Sequence, residues 1–274
     1  MAEAHSAGDW ITEQGLRWRR LAPFGVEVDH DLSRPLDSQV AEMFCRLLDR
    51  EALILARGQA LTMQQQQALS APIGEDVHRA HAQDRGYIST EQDQAGGRGE
   101  FSYHSDNAYA DMPMAAISLH AVDVVEGASS TQFVHAGQAY RSLPPALRAR
   151  LDLLEAEMVK PASGYIGSRL CDVDDPQVEF SMPFAAVRTN PRTGERYIAV
   201  SEMQTARFLG MERDESRALL HEVYRHLYAP EACLEHRWRG GDFILWDNLA
   251  LQHARGNLAD VGRRILQRVV ACLT

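Results

Sequence analysis

Apolar residues at Val40, Met43, Phe44, Leu47 and Leu48 recur at three- and four-residue steps, which predicts an amphipathic helix over 38–51. A continuous apolar run over 52–56, stopped by Arg57-Gly58, reads as a buried strand. Thr62 is placed to cap a second helix running to Ala71 and ended by Pro72 and Gly74. From 78 to 99 the periodicity vanishes in a polar stretch rich in Gln, Asp and Gly, and loops of that length in compact domains are usually functional or mobile. The pattern then predicts strands at 116–125 and 131–134, helices at 136–143 and 145–158, and a second irregular stretch at 163–179. Strands at 184–189 and 197–200 flank the turn signal Asn190-Pro191-Arg192-Thr193-Gly194. An amphipathic helix at 214–228 and strands at 234–238, 242–246 and 264–272 complete the chain. A helical N-terminal part followed by many short strands with a helical insert predicts an α+β fold with a barrel or jelly-roll core. With no repeat, low-complexity tract or linker signal, one domain over 1–274 is expected, with lid loops near 78–99 and 163–180.

Composition narrows the class. With 274 residues, 45% hydrophobic and 24% charged, the chain can bury a sizeable core without disulfide or metal staples. Cys45, Cys171, Cys233 and Cys272 lack CxxC spacing, which argues against a disulfide framework and against a cysteine zinc site. The start of the sequence has no basic stretch followed by an apolar core, and no apolar run approaches the length of a membrane span, so a cytoplasmic, soluble protein is expected. The net charge of −10 makes nucleic acid and anionic membranes poor partners. That inference concerns the outer surface and says nothing about a pocket.

Any metal chemistry must therefore use His, Asp and Glu. The first candidate is His104-Ser105-Asp106, whose outer members would point to one side of an extended segment. Alone it is weak: 11 His and 19 Asp in this length give about 0.8 H-x-D matches by chance. The second is the strand and polar turn ending in Trp246-Asp247-Asn248, followed by His253. The third is Arg264 and Arg268, which share a strand face with Leu266 and Val270. Each has an ordinary explanation as a core histidine or an exposed arginine. Together they fit the two-histidine, one-carboxylate triad of non-haem Fe(II) oxygenases, with an arginine suited to the far carboxylate of a chelating co-substrate. Two other readings are a non-catalytic barrel that binds a small acid, and a zinc hydrolase built on His78, His81 and His104, for which no Glu is well placed as general base. His221 and His226, five apart on a helix, read as surface.

The chain resembles the taurine dioxygenase (TauD/TfdA) group of Fe(II)- and 2-oxoglutarate-dependent dioxygenases. The resemblance runs through Leu61 to Leu69 and Ile73-Gly74-Glu75, Tyr103-His104-Ser105-Asp106, Thr131, Val187 to Pro191 with Gly194, Leu245-Trp246-Asp247-Asn248, His253, Arg264 and Arg268. It implies a double-stranded β-helix (jelly-roll, cupin-like) core flanked by helices. It implies Fe(II) on His104, Asp106 and His253, and 2-oxoglutarate held by Arg264 and Thr131, with O2 as co-substrate. The implied activity hydroxylates, desaturates or cleaves by hydroxylation a C–H of a small anionic molecule, with release of succinate and CO2. The intact Asp106 favours these outcomes over halogenation. Arg268 is the implied anion anchor, and Arg79, Asn107, Tyr109 and Gln204 are the other expected substrate contacts. Three positions depart from the family pattern: Tyr103 replaces a Trp, Ala128-Ser129-Ser130-Thr131 replaces a Gly-rich acidic turn, and Gln204 replaces an aromatic pocket wall. The segment around His78, Arg79 and His81 does not reproduce the taurine contacts, so a substrate other than taurine is expected. Homo-oligomers are common in the family, and no interface is legible in this sequence.

Overall fold

The computed structural model describes residues 2–3, 5–6, 8–76, 86–90, 98–110, 114–161 and 178–273. Two sheets face each other. The smaller has five strands in the order Ala2–Glu3, Cys233–Arg237, Ser130–His135, Leu251–Arg255 and Phe101–His104. The larger has ten, with Val26–Asp29, Leu53–Ala56, Phe243–Asp247, Met114–Val124 and Arg264–Cys272 side by side at its centre. Between the sheets lie Leu53, Leu55, Ile117, Leu119, Phe133, Leu234, Trp238, Ile244, Trp246, Leu251, Leu266 and Val270, all buried. This is the jelly-roll core expected from the pattern of short strands.

Helix α1 (Ser38–Glu51) covers the outer face of the large sheet. Asp37 caps it by accepting from Val40 N at 2.9 Å, and the stripe Val40, Met43, Phe44, Leu47 and Leu48 is buried as the spacing predicts. Helix α2 (Met63–Ser70) begins at Thr62 with a reciprocal capping box to Gln65. Helices α3 (Ala136–Ser142), α4 (Pro145–Leu151) and α5 (Arg213–Leu227) contribute to a second core cluster, separate from that of α1. Among the described residues no helix is long and apolar enough to cross a membrane.

Three expectations fail. The helix expected over 145–158 stops at Leu151, and Glu155–Pro161 is a strand. Its apolar positions satisfy either period, and pairing with the distant strands Val178–Ala185 and Thr205–Phe208 decides for strand. The strand expected over 184–189 is two strands broken at Ala186, Val178–Ala185 and Val187–Thr189, and they pair with different partners. The N-terminal part is not only helical: Ile11–Glu13, Leu16–Ala22 and Val26–Asp29 extend the large sheet. The alternation in Leu16–Ala22 is masked by three arginines, of which Arg17 pairs with Asp29 and Arg19 with Glu27 across the strands. The two expected lid stretches fall largely outside the described residues.

Candidate active site

The chain crosses from the large sheet to the small one at Asp247-Asn248-Leu249-Ala250, between Phe243–Asp247 and Leu251–Arg255. Asp247 makes the corner, with Oδ1 accepting from Leu249 N at 2.8 Å and Ala250 N at 2.9 Å, and Oδ2 accepting from Asn190 Nδ2 at 2.7 Å. Burial pushes its carboxyl up, and these three donors hold it. Asn248, fully buried, reaches the other way. Its Oδ1 accepts from Asp106 N, and its Nδ2 donates to Asp106 O and Met114 O, each at 3.0 Å. The corner thus fixes both the strand that carries His253 and the turn that carries Asp106.

His104 is the last residue of its strand, and Asp106 lies in the turn beyond it rather than on a common strand face. His104 and His253 are register partners on adjacent strands, with ring centroids 4.3 Å apart. Asp106 Oδ1 lies 3.2 Å from His104 Nε2 and 3.6 Å from His253 Nε2. The three side chains offer ligand atoms that all lie within 4.8 Å of one another. His104 Nδ1 is 2.8 Å from Ser102 O. A carbonyl can only accept, so Nδ1 carries the proton and Nε2 keeps its lone pair for a ligand bond. Burial, reinforced by the neighbouring His104, pulls the His253 imidazole down to about 3, so it is neutral and able to ligate at pH 7. Burial alone would raise the Asp106 carboxyl, but the Arg268 guanidinium and the two histidines outweigh it and hold it well below the usual carboxylate range.

These groups open onto a cavity of about 280 Å³ between the sheets. Phe101, Thr131 and Arg255 line it from the small sheet, Leu119, Trp246, Arg264 and Arg268 from the large one. Arg264 is 2% exposed, and its Nε and Nη1 are buried without a hydrogen-bond partner among the described residues. Burial, with the charge of Arg255 nearby, lowers its guanidinium to about 9, so it remains a cation at neutral pH. A buried cation in this condition fits an anionic ligand that would satisfy it. Thr131 Oγ1 accepts from Trp238 Nε1 at 3.0 Å. Since an indole only donates, the threonine hydroxyl keeps its own proton to give.

Residues 17–270 match the family described as "Taurine catabolism dioxygenase TauD, TfdA family". The chain belongs to this family. Across 270 residues it is 28% identical to the alpha-ketoglutarate-dependent 2,4-dichlorophenoxyacetate dioxygenase of Cupriavidus pinatubonensis, covering 89% of this chain and 92% of that protein. It is likewise 28% identical to pentalenolactone F synthase of Streptomyces arenae, where the aligned stretch covers 62% of this chain and 60% of the relative. The structure of a taurine dioxygenase from Burkholderia xenovorans superposes with a TM-score of 0.77 at 27% identity, covering 94% of this chain and 91% of that one. This TauD/TfdA member is accordingly a 2-oxoglutarate-dependent dioxygenase that uses Fe(II), 2-oxoglutarate and O2.

The sequence-expected residues are not all brought together. His104, Asp106, His253, Thr131, Arg264 and Arg268 line one cavity. Arg268 is not an open anchor: its Nη2 donates to Asp106 Oδ2 at 2.6 Å. Asn107, in left-handed backbone at φ 55°, accepts from the Tyr109 hydroxyl at 3.0 Å, and neither is among the described cavity-lining residues. Gln204 is 3% exposed and also lies off that wall, with Ser201 Oγ at 3.5 Å from its Oε1. Arg79, His78 and His81 lie outside the described residues. Two participants were not assigned a role from sequence. Asn248 enters the sequence reading only within the polar turn and the signature Leu245-Trp246-Asp247-Asn248, with no role of its own. Trp238 carried no signal, because its partner Thr131 is 107 positions away.

Proposed function

We propose that His104, Asp106 and His253 hold the iron, that Arg264 with Thr131 holds the distal carboxylate of 2-oxoglutarate, and that the enzyme oxidises a C–H of a small molecule bearing an anionic group. The observation that carries the reading is Arg264: a buried, charged guanidinium with donors unpartnered among the described residues, in the same cavity as three converging ligand atoms. The residues fit the metal in donor type as well, with two imidazoles and a carboxylate of the facial-triad kind. When bound, the iron supplies O2 activation coupled to oxidative decarboxylation of 2-oxoglutarate to succinate and CO2.

The chain's own residues prepare that chemistry. Ser102 O fixes the His104 tautomer, and Asn248 fixes the Asp106 turn. Arg268 engages Asp106 Oδ2, which leaves Oδ1 facing both imidazoles. The same guanidinium lines the cavity and supports an anionic substrate group placed beside it. The apolar wall of Leu119, Phe101 and Trp246 excludes water around the reacting C–H. Hydroxylation, with desaturation or C–X cleavage as its variants, is the reaction class, and taurine is not the expected substrate.

The test is succinate formation with Fe(II) and 2-oxoglutarate across a panel of small sulfonates, carboxylates, phosphonates and sulfate esters, with taurine included. Turnover with an anionic member supports the reading, whereas turnover confined to neutral molecules counts against the anionic group. Arg264→Ala should raise the 2-oxoglutarate requirement by the equivalent of about 2–5 kcal/mol, the cost of breaking a buried charge-assisted pair. An unchanged requirement would put the co-substrate elsewhere.

A further inference from the structure

Three guanidinium groups line the cavity, Arg255, Arg264 and Arg268, and Asp106 is the one carboxylate among its described lining residues. They divide into two groups. Arg268 belongs to the triad, since it donates to Asp106 and its charge acts on Asp106 and His253. Arg255 and Arg264 belong together, since the charge of Arg255 acts on Arg264. They come from opposite sheets: Arg264 opens the strand Arg264–Cys272, and Arg255 closes the strand Leu251–Arg255, two residues beyond His253.

Arg255 is held firmly. It is 9% exposed and in register with Phe101, with its Cζ 4.5 Å from the Phe101 ring centroid. Its Nη2 donates to Gly99 O at 2.6 Å. Phe101 in turn lies 5.8 Å, centroid to centroid, from His104. Two like charges fixed at one cavity repel, and an anion between them turns that repulsion into attraction on both sides. A carboxylate suits the place because each planar fork can meet it through two parallel hydrogen bonds.

We propose that Arg255 is a second anchor for the distal carboxylate of 2-oxoglutarate, so that this carboxylate is gripped by Arg264 from the large sheet and by Arg255 from the small one. The proposal rests on the reading of Arg264 given above. It also gives Arg255 a positional meaning: one short strand carries both His253 and the second anchor, and so fixes the span between the metal end and the distal end of the co-substrate.

The experiment is calorimetric titration of the Mn(II)-loaded protein with 2-oxoglutarate, and with pyruvate, which lacks the distal carboxylate. Arg255→Gln should weaken 2-oxoglutarate by about tenfold or more, Arg264→Gln by more still, and neither should move pyruvate. Wild-type affinity in Arg255→Gln alongside a loss in Arg264→Gln overturns the proposal. So does a change confined to the KM of the oxidised substrate, which would assign Arg255 to that molecule. Wild-type affinity in both variants would instead remove the reading of Arg264. Arg255→Lys keeps the charge and loses the fork, so it carries the same test should the glutamine variant not fold. Its expected weakening is about threefold or more, and wild-type affinity in the folded lysine variant overturns the proposal.

Discussion

The molecule contains two clusters of the same residue types, one at the cavity and one behind it. At the cavity, Asp106 meets His104, His253 and Arg268. Behind it, Asp242 meets His236 at 3.1 Å and Arg57 at 2.8 Å, and accepts from Arg239 N at 2.9 Å. Burial lowers the His236 imidazole against the pull of Asp242, much as burial lowers His253. The difference lies in what each carboxylate faces. Asp242 directs one oxygen at all three neighbours and is 1% exposed, tying a strand end to Arg57. Asp106 is split, with one oxygen on a guanidinium and the other facing two lone-pair-bearing nitrogens beside an open volume. Histidine, aspartate and arginine together therefore do not make a metal site. Convergent lone pairs facing a void do.

The sharpest way to break the comparison is to remove each carboxylate. Asp106→Ala should abolish the iron–2-oxoglutarate charge-transfer absorption and reduce turnover by about a thousandfold or more, with modest change in melting. Asp242→Ala should do the reverse, costing about 3–5 kcal/mol in denaturant unfolding while folded protein keeps the absorption. A folded Asp242→Ala protein without the band would show that the two clusters are one unit.

Asn248→Ala tests whether the corner serves the cavity. Losing two hydrogen bonds to Asp106 and a third to Met114 O should weaken metal binding by about 10–100-fold in a direct titration. Unchanged metal affinity would mean that the turn holds its shape alone.

The smallest effect concerns acid. In metal-free protein His253 and His236 are neutral when folded, while in the unfolded chain each titrates near its ordinary value of 6.5. The unfolded state then binds more protons below that pH, so stability is full above about 6.5 and falls as pH drops, by at most about 1.4 kcal/mol per pH unit for each histidine. His236→Gln should flatten the fall between pH 6.5 and 5 with metal present or absent. Metal should not flatten the share of His253, because a ligating imidazole stays unprotonated in the folded protein just as it does without metal. Urea midpoints across that range would separate the two.

How much of this was legible beforehand follows from the range of the forces involved. The stripe of α1 and the Thr62 cap are local, and both were readable. Leu16–Ala22 was not, because its arginines are satisfied by residues of the next strand. Nor was Glu155–Pro161, which needed two partners from 17 or more positions away. The convergence of His104, Asp106, His253 and Arg264 on one cavity was legible because their order along the chain follows a family pattern. The pairing of Arg268 with Asp106 was not, since a sequence gives residue types and not which valences are already filled. Arg255, two residues beyond His253, reads in the sequence as an ordinary strand-end charge, and its place beside Arg264 at one cavity depends on the facing sheet.

His104 and His253 are register partners separated by 149 positions. An ion shared by them would bind the folded chain and not the unfolded one, and so act as a reversible cross-link closing a very long loop. At a free metal concentration a hundred times its dissociation constant, that linkage contributes about 2.7 kcal/mol to folding. An ion held there would be acquired only after the two strands have paired across that loop, so metal loading would follow the folding of the sheet rather than precede it.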